Sequence, residues 1–284
     1  MANLKEIKTR IESVKNTKQI TNAMKMVAAS KLRKAQENII NARPYADHIN
    51  DMLRTLKNKN TSANHPLLAE VSGKGKTAYV VVTSDRGLCG SFNTHIVKKA
   101  VAHLKDEPDA DLICIGRRGY DHFRKHSTNV TEHYVNLFNE MNFSVSVDVA
   151  EKILSLFIDE NYDKISVIYN EFKSAIQQDI VVKQLLPIVP IESDEISKLD
   201  YIYEPDEDTI IEELGRKYIH VDVWRIMLES SAAEQGARMT AMDSATENAA
   251  ELIDTLTLNY NRARQAAITT EIIEISSGAE AIQQ

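Results

Sequence analysis

The densest run of reactive side-chain types is Thr83-Ser84-Asp85-Arg86-Gly87-Leu88-Cys89-Gly90-Ser91-Phe92-Asn93. It falls between a predicted strand and a predicted helix, where phosphate-binding loops lie. It is neither GxGxxG nor a GxxxxGK loop ending in Ser or Thr, and no Lys follows its second glycine. The better reading is a tight turn into a capped helix, with Asp85 and Ser91 as natural caps. Cys89, near that helix N-terminus, is expected to have a lowered thiol pKa. The histidine nearest to it, His95, lies a few residues into the helix, so no Cys–His nucleophile pair forms from local sequence. The eight histidines are scattered without HExxH or HxH spacing, which argues against a metal site.

A second polar cluster, Asn259-Tyr260-Asn261-Arg262-Ala263-Arg264-Gln265-Ala266-Ala267-Ile268-Thr269, stands near the C-terminus. Two readings of it stand side by side. Its arginines, Gln and Asn can make directional hydrogen bonds to a partner, or they can be a solvated helical face. A third candidate is the N-terminal stretch. Residues 1–60 hold thirteen Lys or Arg against five acids, a net +8, while residues 226–284 hold three against nine, a net −6. With a pI of about 5.7 for the whole chain and Tyr45 the only aromatic in residues 1–60, nucleic-acid binding is disfavoured. A basic helical face meeting acidic protein partners fits better.

The elements that must position these residues are long helices. The chain has 9 Gly and 6 Pro in 284 residues, too little punctuation for an all-β fold. From Leu4, steps of three and four give Ile7, Ile11, Val14, Lys18, Thr21, Lys25, Ala28, Leu32, Ala35, Ile39, Ala42, Ala46, Ile49, Leu53 and Leu56, a coiled-coil seam. Lys18, Thr21 and Lys25 break it, and there the stripe is expected to shift to Ile20, Met24 and Val27. Pro44 is expected to kink or loosen the helix. A second seam runs Leu214, Tyr218, Val221, Arg225, Leu228, Ala232, Gln235, Met239, Met242, Thr246, Ala249, Ile253, Leu256, Tyr260, Ala263, Ala267. At ~1.5 Å per residue, helices over 3–58 and 208–276 measure roughly 80 and 100 Å, longer than the ~50 Å diameter of a compact chain of this size. They must project and pair.

Between them, Thr77–Ser84, Asp111–Gly116, Lys164–Tyr169 and Val181–Val189 read as strands, and Asn93–Asp106, Gly119–His126 and Val145–Asn161 as helices. That alternation implies a mostly parallel, helix-covered sheet. The expected architecture is mixed: a central Rossmann-like α/β domain with a long antiparallel coiled coil of the terminal helices. The segments are 1–60, 61–205 and 206–284. Cys89 and Cys114 make no disulfide framework and fit a reducing compartment. The N-terminus is charged from the start, without a signal-peptide core or transit-peptide character. The apolar runs are too short to cross a bilayer.

Four stretches together resemble one family. Ile7 to Thr17 with Ile20 to Leu32, Thr83 to Asn93, Ala237 to Met242 with Ala245 to Ala249, and Ile268 to Ala281 resemble, in order, the gamma subunit of the F-type ATP synthase. The resemblance implies a central-stalk rotor subunit. The paired helices would turn inside a hexamer of alpha and beta subunits, and the α/β domain would touch the epsilon subunit and the ring of c subunits. Proton-driven rotation would be coupled to ATP synthesis in beta, and hydrolysis would run the reverse. The subunit itself would be no enzyme, with no catalytic residue, cofactor or metal. It would sit peripherally at the cytoplasmic face of a bacterial plasma membrane. By the same resemblance, Arg264 and Gln265 match the pair that hydrogen-bonds a beta loop, and Met24 with Lys25 the position meeting the acidic beta lever. Tyr201, Tyr203 and Glu204 match the foot on the ring. A static coiled-coil scaffold and a nucleotide-dependent Rossmann-like enzyme are the alternatives. No cysteine pair suited to a thiol switch is present.

Overall fold

A computed structural model describes residues 4–58, 66–68, 75–126, 128–139, 141–159, 162–189 and 207–282. Two helices dominate it: α1, Leu4–Asn58, and α5, Glu207–Ile282. Between them lie β1 Lys76–Val82, α2 Phe92–Asp106, β2 Asp111–Ile115, α3 Arg117–Lys125, β3 Val130–Tyr134, α4 Phe143–Asp159, β4 Tyr162–Phe172 and β5 Gln178–Leu186. Helix α1 continues through Pro44 unbroken.

By packing, the chain forms two compact units. One comprises residues 28–238, the other residues 1–27 together with 239–284. The larger unit holds a five-stranded sheet in the order β3-β2-β1-β4-β5. The β1–β2, β1–β4 and β2–β3 pairs are parallel; β5 is antiparallel to β4. Two findings modify the sequence reading. Strand β3 was not foreseen, because Val-Thr-Glu-His-Tyr is a half-exposed edge strand with one aliphatic residue. The last strand returns antiparallel because only residues 173–177 connect it to β4, a span suited to a hairpin and too short for a crossover.

The strands carry the alternation that a two-sided sheet requires. Ala78, Val80 and Val82 of β1, with Ile113 and Ile115 of β2, join one core, where α4, residues 49 and 53 of α1, and the 211–227 stretch of α5 pack. Tyr79, Val81, Leu112 and Cys114 face the other way, onto Phe92, Ile96 and Ala100 of α2 and Phe123 of α3. Gly116, at the start of α3, has φ +98°, and a Cβ there would fall 2.1 Å from the Thr83 carbonyl oxygen. Only glycine lets β2 turn into α3 against that backbone.

The smaller unit is a two-helix seam. The Thr21 and Thr246 hydroxyls lie 2.7 Å apart, and Lys25 Nζ stands 2.5 Å from Asp243 Oδ1. These pairs run in opposite directions along the chain, so the helices are antiparallel. The less exposed α1 positions are Leu4, Ile7, Ile11, Val14, Lys18, Thr21, Met24 and Lys25. The seam therefore does not shift at its polar residues, contrary to the sequence expectation. Ile20 and Val27 are 60% and 57% exposed. Thr21 and Lys25 hold their seam places because α5 sets a hydroxyl and a carboxylate opposite them.

Candidate functional site

The loop after β1 is closed on itself and on α5. Ser84 N donates to Asn93 Oδ1 at 2.9 Å, and Asn93 Nδ2 donates to Ser84 Oγ at 2.7 Å and Cys89 Sγ at 3.2 Å. Leu88 and Gly90 take positive φ to make the turn. From α5, Arg238 Nη2 donates to the carbonyls of Gly87 (3.1 Å) and Arg86 (3.5 Å), while Nη1 binds Glu234 Oε1 at 2.5 Å. Both side chains of this ion pair are about nine-tenths buried. Burial pushes the Glu234 carboxyl above the ordinary glutamate range, and Arg238 opposes that shift. In doubly wound sheets a ligand enters where strand order reverses, here beside β1 and β4. In this chain a guanidinium of α5 caps the loop that would cradle it.

Three local expectations are corrected here. Ser91 holds the N-cap position of α2 but makes no side-chain capping bond; its backbone stands at φ −87°, ψ 1°, and only its carbonyl joins the helix, accepting from His95 N at 3.0 Å. Asp85 caps a different helix: its Oδ1 accepts from Arg117 N at 3.0 Å, at the start of α3, and from Asn136 N at 2.7 Å, while Oδ2 accepts from Phe138 N at 3.4 Å. The Cys89 thiol is pushed up, not down, because its burial outweighs the hydrogen bond to Ser84 and the field of Arg238. Cys114, in the core strand β2, is pushed up to about 12 by burial. Neither is a nucleophile at neutral pH.

The residues matched by resemblance to partner contacts sit in different settings. Met24 is half-buried on the α1 seam. Lys25 is committed to Asp243, though its side chain stays 37% exposed. Arg264 and Gln265 are exposed on α5. Stepping outward along the antiparallel register brings Leu4 level with Ala263, which is half-buried. From Arg264 onward α5 has no described stretch of α1 beside it, and residues 264–278 are exposed on every face. Tyr201, Tyr203 and Glu204 lie outside the described residues.

Sequence reasoning missed two features. One is the Arg238 clasp, whose partner Glu234 lies one helical turn earlier, the only local signal of the pair. The other is a row of exposed aliphatics on the bare end of α5, Ile268, Ile272 and Ile275, at 47%, 61% and 67% exposure. Their spacing of four and three is the mark of one helix face seeking cover.

The family model described as ATP synthase matches residues 3–282. The ATP synthase gamma chain of Prosthecochloris aestuarii is 49% identical over 290 residues, covering 100% of this chain and 99% of its own. That of Chloroherpeton thalassium is 47% identical over 303 residues, with 100% and 99% covered. Among solved structures, a chain of the central stalk and c-ring of Tetrahymena thermophila mitochondrial ATP synthase is similar at TM-score 0.64 and 27% identity. The match covers 80% of this chain and 99% of that one. A chain of the Euglena gracilis mitochondrial ATP synthase, in rotational state 3, shares the fold at TM-score 0.71 and 20% identity, over 98% and 94% of the two chains.

Proposed function

The chain belongs to the ATP synthase family as a gamma chain of the central stalk, and from that premise we propose that it works as a non-catalytic rotor. Rotation of a c-subunit ring, driven by protons, turns the α/β body; the paired helices turn with it inside an alpha and beta hexamer. Beta sites then change state in sequence, and ATP hydrolysis drives the reverse. The epsilon subunit is a further partner on the body. In functional segments, 1–60 and 206–284 form the shaft and 61–205 the body. No described helix is long and apolar enough to cross a membrane, and the chain's membrane contact, at the cytoplasmic face of a bacterial plasma membrane, is made through the complex.

The observation that carries this reading is the change of environment along α5. Its 211–233 stretch is core, with Ile211, Ile219, Met227, Leu228 and Ala233 fully buried, whereas residues 264–278 are bare. A lone helix with no tertiary cover gains no packing energy, so its order depends on an outer wall. An asymmetric shaft biases three equivalent beta sites differently only through its angle. Arg264 and Gln265 are the directional contacts on that wall, Met24 and Lys25 those nearest the lever, and Tyr201, Tyr203 and Glu204 the contact on the ring.

The test is single-molecule observation of a tag on the α/β body, with the catalytic head fixed and ATP supplied. Stepwise rotation supports the rotor. An active complex without rotation would identify a static scaffold, and ATP turnover by the isolated chain would identify an enzyme.

A further inference from the structure

Helix α5 crosses the larger unit with apolar residues on almost every side: Tyr218, Ile219, Val221, Val223, Ile226, Met227 and Leu228 are all buried. Burial of such a surface is itself non-directional, so it fixes the angle of the helix less sharply than paired charges do. Two sets of contacts are directional: Arg216 and His220 meet Glu151 of α4 in a partly exposed group, and a second set lies deeper. Asp222, Arg225 and Glu229 follow each other at spacings of three and four. Asp222 accepts from Lys183 Nζ of β5 through both oxygens at 2.7 Å. Arg225 stands 3.6 Å from Asp222 and 3.7 Å from Glu229. The phenol of Tyr169, on β4, lies close enough to Glu229 that each acts on the other's ionisation. The Asp222 and Glu229 side chains are only 6% and 14% exposed. Beside them lies a cavity of about 30 Å³, bordered by Asp47 and Asn50 of α1.

This cluster is poorly built for stability. The two Arg225 ion pairs are long, and among the described residues Arg225 Nε and Glu229 Oε2 are buried without a hydrogen-bond partner. Buried charges made so loosely return little of their desolvation cost, whereas apolar residues of like volume would pack there at no such cost. What the cluster does supply is direction. Turning α5 by one residue, about 100°, takes the Asp222 carboxylate off Lys183 and into aliphatic neighbours.

We propose that Lys183, Asp222, Arg225 and Glu229 form a rotational key that fixes the angle of α5 on the sheet, so that torque on the body reaches the shaft without slip. The mechanical half of this proposal rests on the rotor reading; the key itself does not. These are positioning residues, and two measurements separate their role from plain structural support.

In the full chain, cysteines replacing the exposed Lys99 and Lys217 carry spin labels for a distance measurement by pulsed electron resonance. The native key gives one narrow distribution. Replacing all four residues (Lys183→Met, Asp222→Leu, Arg225→Met, Glu229→Leu) leaves helicity and melting temperature equal or higher while the distribution broadens about twofold, as in a core without specificity devices. A distribution that stays narrow overturns the key. Should the fourfold variant fail to fold, Lys183→Asp broadens the distribution, and adding Asp222→Lys narrows it again. Failure of that second change to restore it is equally fatal. In vesicles carrying the whole reconstituted complex, the fourfold variant hydrolyses ATP while protons pumped per ATP fall by about half, the mark of slip at a two-state interface. An unchanged ratio beside a broadened distribution overturns the mechanical role and leaves the gamma-chain assignment standing. Failure of the unaltered chain to support pumping overturns the rotor reading instead.

Discussion

Helix α5 is one continuous element with two characters. In the larger unit most of its 211–233 stretch packs against sheet and helices, and even the Asp222 and Glu229 carboxylates are largely buried there. In the smaller unit, from 239 onward, the α5 residues that are well buried are Met242 and Ala249. The rest of that seam, from Met239 through Thr246, Ile253 and Leu256 to Tyr260 and Ala263, is half-covered. The difference teaches that helical continuity does not imply uniform stability. The first stretch is held by tertiary packing within the chain. The second is held by a single partner helix and, past Ala263, by none.

Three substitutions of one residue type along α5 would break this comparison if they failed to grade. Ile219→Ala, at a fully buried site, is expected to cost about 2–5 kcal/mol in denaturant unfolding. Ile253→Ala, half-covered in the seam, should cost about 1 kcal/mol. Ile272→Ala, exposed, should leave the isolated chain within about 0.5 kcal/mol of the parent. Equal costs at all three sites would refute the division of the helix.

The Arg238 clasp gives the next largest effect. Arg238→Ala strands the Glu234 carboxylate in the interior and should cost about 3 kcal/mol, while Arg238→Met with Glu234→Gln should recover most of it. Chemical denaturation of the two variants decides this, and a double variant no better than the single one would refute the pairing.

On the exposed side the effect moves from stability to turnover. Arg264→Ala with Gln265→Ala should assemble and melt normally but hydrolyse ATP about fivefold more slowly, the worth of roughly one directional hydrogen bond. Unchanged turnover in the assembled complex would remove these residues from the beta contact.

The smallest effects concern titration. Burial holds the Glu229 carboxyl above its usual value, with Arg225 opposing. A carboxyl raised in the folded state binds more protons when folded, so it loses stability for the chain as pH rises from the ordinary glutamate range upward. Glu229→Gln should therefore gain on the parent as pH goes from about 4 to about 7; a constant difference across that range would contradict the burial of its charge. Likewise Cys89 and Cys114 should react with iodoacetamide at about pH 8 far more slowly than a free thiol, and mass spectrometry showing rapid labelling would contradict the closed loop.

Much of this contrast was legible in the sequence. The two seams named their own covered faces from Leu4 to Leu53 and from Leu214 to Ala263, because period and burial are the same information in a helix; Ala267, the last residue of the second series, is exposed because no described stretch of α1 reaches it. The error at Ile20 and Val27 came from judging one helix alone. A lysine and a threonine read as a break until Asp243 and Thr246, more than two hundred residues away, are set across from them. Asp85 was misplaced for the same reason: its type announced a cap, but the amide it binds belongs to Arg117, on an element that only the sheet order brings near. Strand β3 was hidden because its stability comes from pairing with β2 and not from its own composition. The Arg264 and Gln265 face remained ambiguous to residue patterns alone, since an exposed polar helix looks the same whether water or a partner touches it.

Asp85 has a consequence for genetics. A small acidic residue in a glycine-flanked loop, intolerant of change, is what a mutational screen scores as a catalytic carboxylate. Here its oxygens tie the backbone of three chain segments together beneath the loop. Alleles at this codon should therefore be temperature-sensitive and deplete the subunit from cells, while each complex that does assemble turns over at the parental rate.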